Sequence, residues 1–361
     1  MELRAYELSQ RNPIAEIPGR DEQLHDELAA WADGDDQRQA TAAAIVSLTC
    51  AGVRIGRELA VAPLVGGLDD VVGNNASGDP QKKMDLLAHG LVLESLRAGP
   101  VAAIASEEEE LPAVLVPGAP LVVAVDPLDG SGNLAINGPV GLIFSIRPNT
   151  GEAPERVFLR PGVEQLAAGF ILYGPATILV LTTGAGTDLY VLSPDHGVFV
   201  RSTRGIRVPT GTPEYAVNAS NARHWLPGFR SYVADLQAGT EGLRGLDFSM
   251  RWYGALVIEA LRILIRGGIY LYPADRRPKH RSGSLRLVYE AHPIAMMIEE
   301  AGGAATDGRD RILTKSADDL HERIPLVFGS VDKVARVGRY LDESYDAERA
   351  PLFATRGLFR E

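Results

Sequence analysis

Five short apolar runs, VAAIA, LVVAV, GLIFSI, AAGFILY and ATILVLTT, fall within residues 101–183 and constrain the fold more than any other feature. Each is too short for a substantial helix, Gly, Pro or Asp separates them, and several are rich in β-branched residues, which is the pattern of buried strands. Two helical patterns precede them. Residues 36–60 bring Ala42, Ile45, Val46, Leu48 and Val53 to helical spacing, and PQKKMDLLAHGLVLESLRA at 80–98 reads as a second helix with Pro80 near its start. YGPA at 173–176 reads as a turn between two strands, which implies antiparallel pairing. A mostly β core packed on helices is expected.

A second block begins after RVPTGTP, near residue 212. The helical run YGALVIEALRILI leads there into the short strand GIYLY, then the helix HPIAMMIEEAGG, the strand IPLVFGS and a C-terminal helix. This alternation predicts an α/β unit. With 361 residues the chain is expected to divide into residues 1–211 and 212–361, without internal repeats.

Charge narrows the partners. The formal net charge of −11, with no dense basic run, argues against nucleic acid or a membrane surface. A small phosphorylated substrate stays compatible, because bound metal ions invert the local field of an acidic pocket. The single cysteine, Cys50 in AAAIVSLTCAG, excludes disulfide and zinc-ribbon architecture and is expected to be a packed core thiol. MELRAYELSQRNP lacks a signal-peptide core and no run reaches the length of a membrane span, so a cytoplasmic location is expected.

The chemistry concentrates in VDPLDGSGN at 125–133. Turn-forming residues account for such a string after a strand, yet the two aspartates offer more. Asp126 is expected at the C-terminal edge of the LVVAV strand, where α/β proteins place ligands, and Asp129 returns its carboxylate to the same side with the Leu128 carbonyl between them. Three oxygen donors in four residues suit Mg²⁺. Gly130 permits close backbone approach, and the amides of Gly130 and Ser131 form an anion-binding nest. ASEEEE at 105–110 follows VAAIA directly, so parallel neighbouring strands would bring Glu107 and Glu108 beside Asp126, while Glu109 and Glu110 read as solvated.

The string DPLDGS, with SEE before it and the glutamate of LRLVYEAHPIAMMIEEAGG far downstream, resembles the metal-dependent, lithium-sensitive sugar phosphatases, and within them the class I fructose-1,6-bisphosphatases. GDPQKKMD, LRPG, LAAGFILYGPATILVL and RGGIYLYPAD extend the resemblance over roughly residues 40–343. NASNARHW, DFSMRWYG and RGGIYLYPADRRP are similar to a bacterial branch.

This resemblance implies a layered αβαβα fold of the α/β (α+β) class and a homotetramer. It implies that Glu107, Asp126, Asp129, Glu290 and the Leu128 carbonyl hold two to three Mg²⁺ ions, with Mn²⁺ as an alternative, and that Asp79 lies near a third metal position. Asn75 shares its loop. By the same resemblance Glu108 and Asp85 orient or deprotonate the attacking water, and Asp129, Gly130 and Ser131 meet the 1-phosphate. Asn218, Trp252 and Tyr272 would bind the sugar and its 6-phosphate, with Arg251 reaching in from a neighbouring subunit.

The implied reaction is release of the 1-phosphate of fructose 1,6-bisphosphate by metal-activated water, without a covalent serine intermediate, since Ser131 has no recognisable histidine partner. His292 reads as a satisfied local histidine. Sedoheptulose-1,7-bisphosphatase activity, an inositol- or nucleotide-phosphatase, and a silent sugar-phosphate-binding regulator are the alternatives. Gluconeogenesis and a carbon-fixing cycle use the same hydrolysis.

Two departures stand out. A lysine that the family often carries before LRL(L/V)YE is Ser284 here, leaving Lys279, His280 and Arg281 as sources of charge. Animal-type relatives bind AMP through an N-terminal Gly-Glu-Leu-Thr turn and a Lys-Tyr pair, where this chain has WADGDDQRQA and Pro120-Leu121, so AMP inhibition at that site is expected to be weak or absent.

Overall fold

A computed structural model describes residues 22–342 except 68, 69, 76, 77 and 79. Three helices open it, α1 (Leu24–Trp31), α2 (Asp36–Val65) and α3 (Lys83–Leu96). The Asp35 side chain caps α2 by accepting from the Arg38 amide. The helix continues past residue 60 through Pro63, which lies in its last turn and so disrupts little of the ladder. Residues 80–82 are not helical. Pro80–Lys82 pairs antiparallel with Val71–Asn74, and α3 starts only where the Asp85 carboxylate accepts the Lys82 N–H at 2.7 Å.

Cys50 is exposed, not packed. The buried face of α2 carries Ile45, Leu48, Ala51 and Ile55. Two positions beyond Leu48, Cys50 is rotated by about 200° from it.

The five apolar runs become strands of an eight-stranded sheet. In chain order these are β1 (Val101–Ser106), β2 (Ala113–Val114), β3 (Leu121–Asp129), β4 (Val140–Pro148), β5 (Ala167–Tyr173), β6 (Thr177–Thr182), β7 (Thr187–Ser193) and β8 (Val198–Thr203). Their order in space is β8-β7-β6-β5-β4-β3-β1-β2. β1 and β3 are parallel, as the placement of the glutamates beside Asp126 requires. The other neighbours are antiparallel, including β5 and β6 across YGPA.

Strand periodicity then builds layers. Leu121, Val123 and Val125 of β3 join a core with Leu28, Ile45, Leu48 and Val92 of the first three helices. Val122 and Ala124 face the opposite way, onto α5 (Leu256–Arg266) and α6 (His292–Glu300). The far side of those helices packs on a five-stranded sheet made of β9 (Glu214–Val217), β10 (Ser249–Met250), β11 (Ile269–Tyr272), β12 (Ala304–Thr306) and β13 (Leu326–Gly329), ordered β10-β9-β11-β13-β12. Tyr270 and Phe328 point inward to that helical layer, while Ile269, Leu271 and Val327 point outward to α4 (Pro227–Gln237) and α7 (Val331–Leu341). Helices, sheet, helices, sheet, helices: the layering is αβαβα.

Candidate metal centre

The LVVAV strand does not stop at Val125. β3 runs to Asp129, and its pairing with β4 shifts between Asp126↔Ile143 and Asp129↔Gly141, an extra residue on the β3 side. A bulge of this kind re-aims side chains, and it lets two aspartates of one strand converge. The Leu128 amide donates to Asp126 Oδ1 at 3.0 Å across it, and the Leu128 side chain enters the core below.

Glu290 reaches the same place from the other side. It lies in the turn Leu287–Ala291 that leads into α6, and its Oε2 accepts the Arg286 amide at 2.6 Å. Carboxylate oxygens of Asp126, Asp129 and Glu290 lie within 4.8 Å of one another, and all three residues are buried. The Val257 amide, at the start of α5, donates to Asp129 Oδ2 at 2.8 Å.

Burial, followed by repulsion from Glu107, Asp129 and Glu290, pushes Asp126 well above the usual carboxylate range. Burial likewise raises Asp129 to about 6 and, with Glu107, Glu290 to about 8. Three carboxylates that destabilise one another's charge and present only oxygen are the donor set of a hard divalent cation, which removes the repulsion.

Glu107 stands just outside this cluster. Its amide bonds the Val125 carbonyl at 3.1 Å, while its carboxylate takes Arg286 Nη2 at 2.9 Å and Asn75 Nδ2 at 3.4 Å. Arg286 thus supplies positive charge beside the acidic group, a role invisible in the sequence although it lies inside the quoted LRLVYE string. Asp79 lies outside the described residues.

Glu108 and Asp85 stand beside Glu107, whose charge acts on both. Gln81 Nε2 donates to Glu108 Oε2 at 2.6 Å, and the buried Ser106 hydroxyl accepts the Glu108 amide. Burial raises Glu108 to about 7 and Asp85 to about 6. Lys82 bridges to the segment after Asp129, with Nζ donating to the Ser131 carbonyl at 2.7 Å. Gln81 and Lys82 were also unmarked by sequence reasoning, although GDPQKKMD contains both.

At Gly130, φ is +74° and an added Cβ would meet the Ala255 Cβ at 2.4 Å, so only glycine fits between the aspartate and α5. A short 3₁₀ segment, Ser131–Ile136, follows.

A second hollow is lined by Asn218, Asn221, Tyr272, Asp275, Arg277 and Ser284. Trp252 stacks on Tyr272 with centroids 5.8 Å apart. At the departure from the family lysine, His280 Nδ1 lies 2.7 Å from Ser284 Oγ, and Ser284 also bonds Tyr272. Arg281 is exposed and Arg277 is tied to Asp275. Arg251 is about half exposed and points to the edge of the second sheet, 3.9 Å from Glu214. A larger apolar cavity, about 300 Å³, lies between Phe229, Val327 and Tyr340 and touches none of the clustered carboxylates. No helix of the described residues is long and apolar enough to cross a membrane.

Residues 32–204 match the family model of the fructose-1-6-bisphosphatase N-terminal domain, and residues 208–342 that of the C-terminal domain. A class 1 fructose-1,6-bisphosphatase of Bradyrhizobium sp. (strain BTAi1) is 50% identical over 322 residues, 88% of this chain and 92% of the relative. The class 1 enzyme of Rhizobium meliloti (strain 1021) is 49% identical over 334 residues, covering 91% and 96%. The crystal structure of Leishmania major fructose-1,6-bisphosphatase in holo form superposes with a TM-score of 0.82 at 31% identity, over 89% of this chain and 99% of that one.

Proposed function

Because the chain belongs to the class 1 fructose-1,6-bisphosphatase family, we propose that it releases the 1-phosphate of fructose 1,6-bisphosphate at the Asp126, Asp129 and Glu290 cluster, loaded with Mg²⁺. The observation that carries this reading is the convergence of three buried, mutually repelling carboxylates at the β3 bulge. Bound ions, two to three per subunit including one near Asp79, supply charge that neutralises phosphoryl oxygens and acidifies a water.

The residues do the rest. Glu107, paired with Arg286 at 2.9 Å beside the cluster, would be a further ligand. The amides of Gly130 and Ser131 cradle the 1-phosphate, and Lys82 fixes that loop through the Ser131 carbonyl. Glu108, raised to about 7 and oriented by Gln81, takes the proton of the attacking water, with Asp85 completing the pair. Glu108→Gln is expected to lower kcat by roughly 10²–10⁴-fold while leaving KM within a few-fold, as steady-state phosphate release would show.

Asn218, Trp252 and Tyr272 form the sugar-phosphate side, residues 212–361 supplying that pocket together with Glu290, and residues 1–211 the remaining metal and phosphate motifs. Arg251 serves the adjacent subunit of a homotetramer. In support, Met250 and Tyr253 beside it, and Leu243 and Leu246 a few residues before it in sequence, are exposed next to a two-residue edge strand, apolar surface suited to burial against a second copy. Such a protein works in the cytoplasm.

The direct test is metal-dependent phosphate release from fructose 1,6-bisphosphate, sedoheptulose 1,7-bisphosphate and inositol 1-phosphate, with a metal-free control. Turnover of a ketose bisphosphate supports the proposal; cleavage of inositol phosphate alone overturns it. AMP is a further check. Leu121 is fully buried at the start of β3 and offers no polar contact, so micromolar AMP should leave activity unchanged in an inhibitor titration.

A further inference from the structure

Glu290 sits in a π-helical turn, Leu287–Ala291, and the His292 amide that closes it donates to the Leu287 carbonyl, five residues back. Pro293 follows and has no N–H, so a regular α ladder does not cross this point. Such a turn needs outside contacts to hold a carboxylate in one geometry.

His292 supplies them. It is fully buried, and Arg147 Nη2 lies 2.9 Å from its Nδ1. A guanidinium only donates, so Nδ1 is the acceptor, and Nε2–H donates to the Lys315 carbonyl at 3.1 Å. The His292 carbonyl accepts from Gln165 Nε2 at 3.1 Å.

Arg147 is anchored in turn. Its Nη1 donates to the carbonyls of Arg160 and Pro161 at 2.8 and 3.0 Å, the LRPG stretch. The glycine of that stretch clears the imidazole, since a Cβ on Gly162 would lie 2.6 Å from His292 Cδ2. Among the described residues no carboxylate forms an ion pair with this buried guanidinium. Arg147 stands on β4 opposite Val122 of β3, the strand that carries both aspartates.

We propose that His292, held by Arg147 and the LRPG carbonyls, is a positioning residue that locks Glu290 to the sheet bearing Asp126 and Asp129 and so sets cation affinity. The proposal rests on the metal reading above. It explains why LRPG, remote in sequence from Asp126, Asp129 and Glu290, belongs to the site.

The test is direct Mn²⁺ binding to the full chain, read from the electron paramagnetic resonance of free Mn²⁺, with metal titrations of activity alongside. His292→Leu is expected to weaken Mn²⁺ by about 10–100-fold and to raise the metal needed for half-maximal turnover in parallel, with kcat at saturating metal within a few-fold. His292→Asn puts an acceptor near the position of Nδ1 and should recover most of the affinity, whereas His292→Gln reaches only the Nε2 position and should not. Unchanged affinity in His292→Leu, or equal affinity in the Asn and Gln variants, overturns the proposal. If His292→Leu does not fold, the Asn and Gln pair decides. Asp126→Asn is the control. Loss of Mn²⁺ there beside normal binding in His292→Leu rejects the clamp alone, and normal binding in Asp126→Asn rejects the metal reading itself.

Discussion

Asp126→Asn should lower turnover of fructose 1,6-bisphosphate on the order of 10⁴-fold or more, about 5 kcal/mol of barrier, and no excess of Mg²⁺ should restore it. The aspartate lies at the centre of the cluster, and Glu107, Asp129 and Glu290 all act on it. An amide keeps the shape and the acceptor toward the Leu128 amide but offers the cation no charge. The same change has an opposite effect on stability. Without metal, the folded protein confines Asp126 among like charges, so its neutral replacement should raise the metal-free melting temperature at about pH 8 by roughly 2–4 °C, as calorimetry would show. An inactive variant that is also less stable without metal would point to a packing defect instead.

The first sheet and its packing on helices were legible because the strands VAAIA and LVVAV are short and buried, whereas the αβαβα layer order came from the family resemblance. VAAIA and LVVAV have no helical alternative of sufficient length, and once parallel they bring Glu107 and Glu108 beside Asp126. The errors have physical causes. Apolar neighbours made Cys50 look internal, but a helix buries a stripe, not a stretch. Residues 80–82 carried the helical pattern, while Pro80 and the cap at Asp85 moved the start to Lys83.

In the site, acidic residues announced themselves and their partners did not. Arg286, Lys82 and Gln81 act through distances of 2.9, 2.7 and 2.6 Å to elements remote in sequence, and a lone basic or amide residue carries no periodic signal. His292 reads as a satisfied histidine from sequence, and it bonds Arg147 and the Lys315 carbonyl. That its contacts brace the turn bearing Glu290 depends on a π-helical offset that no composition rule predicts.

Metal-free protein should lose stability as pH rises, the reverse of the usual carboxylate behaviour. Asp129, Glu108 and Glu290 are raised to about 6, 7 and 8, above their unfolded values near 4. These three groups therefore hold more protons in the folded chain than in the unfolded chain between about pH 4 and pH 8, and their contribution to the unfolding free energy falls with pH across that window. The stability these groups contribute is complete below their unfolded values and lost as pH rises through the folded ones. A decline of several kcal/mol, or roughly 5 °C or more in melting temperature between about pH 6 and pH 8.5, is expected in chelator. Divalent cation binds the deprotonated cluster of the folded state alone, so the rise it produces should be small at the acid end and largest at the alkaline end. A scanning-calorimetry series with and without Mg²⁺ reads both slopes. A metal-free melting temperature that climbed over this range would mean the carboxylates are solvated and paired, leaving no electrostatic reason for the bulge in β3 to bring them together.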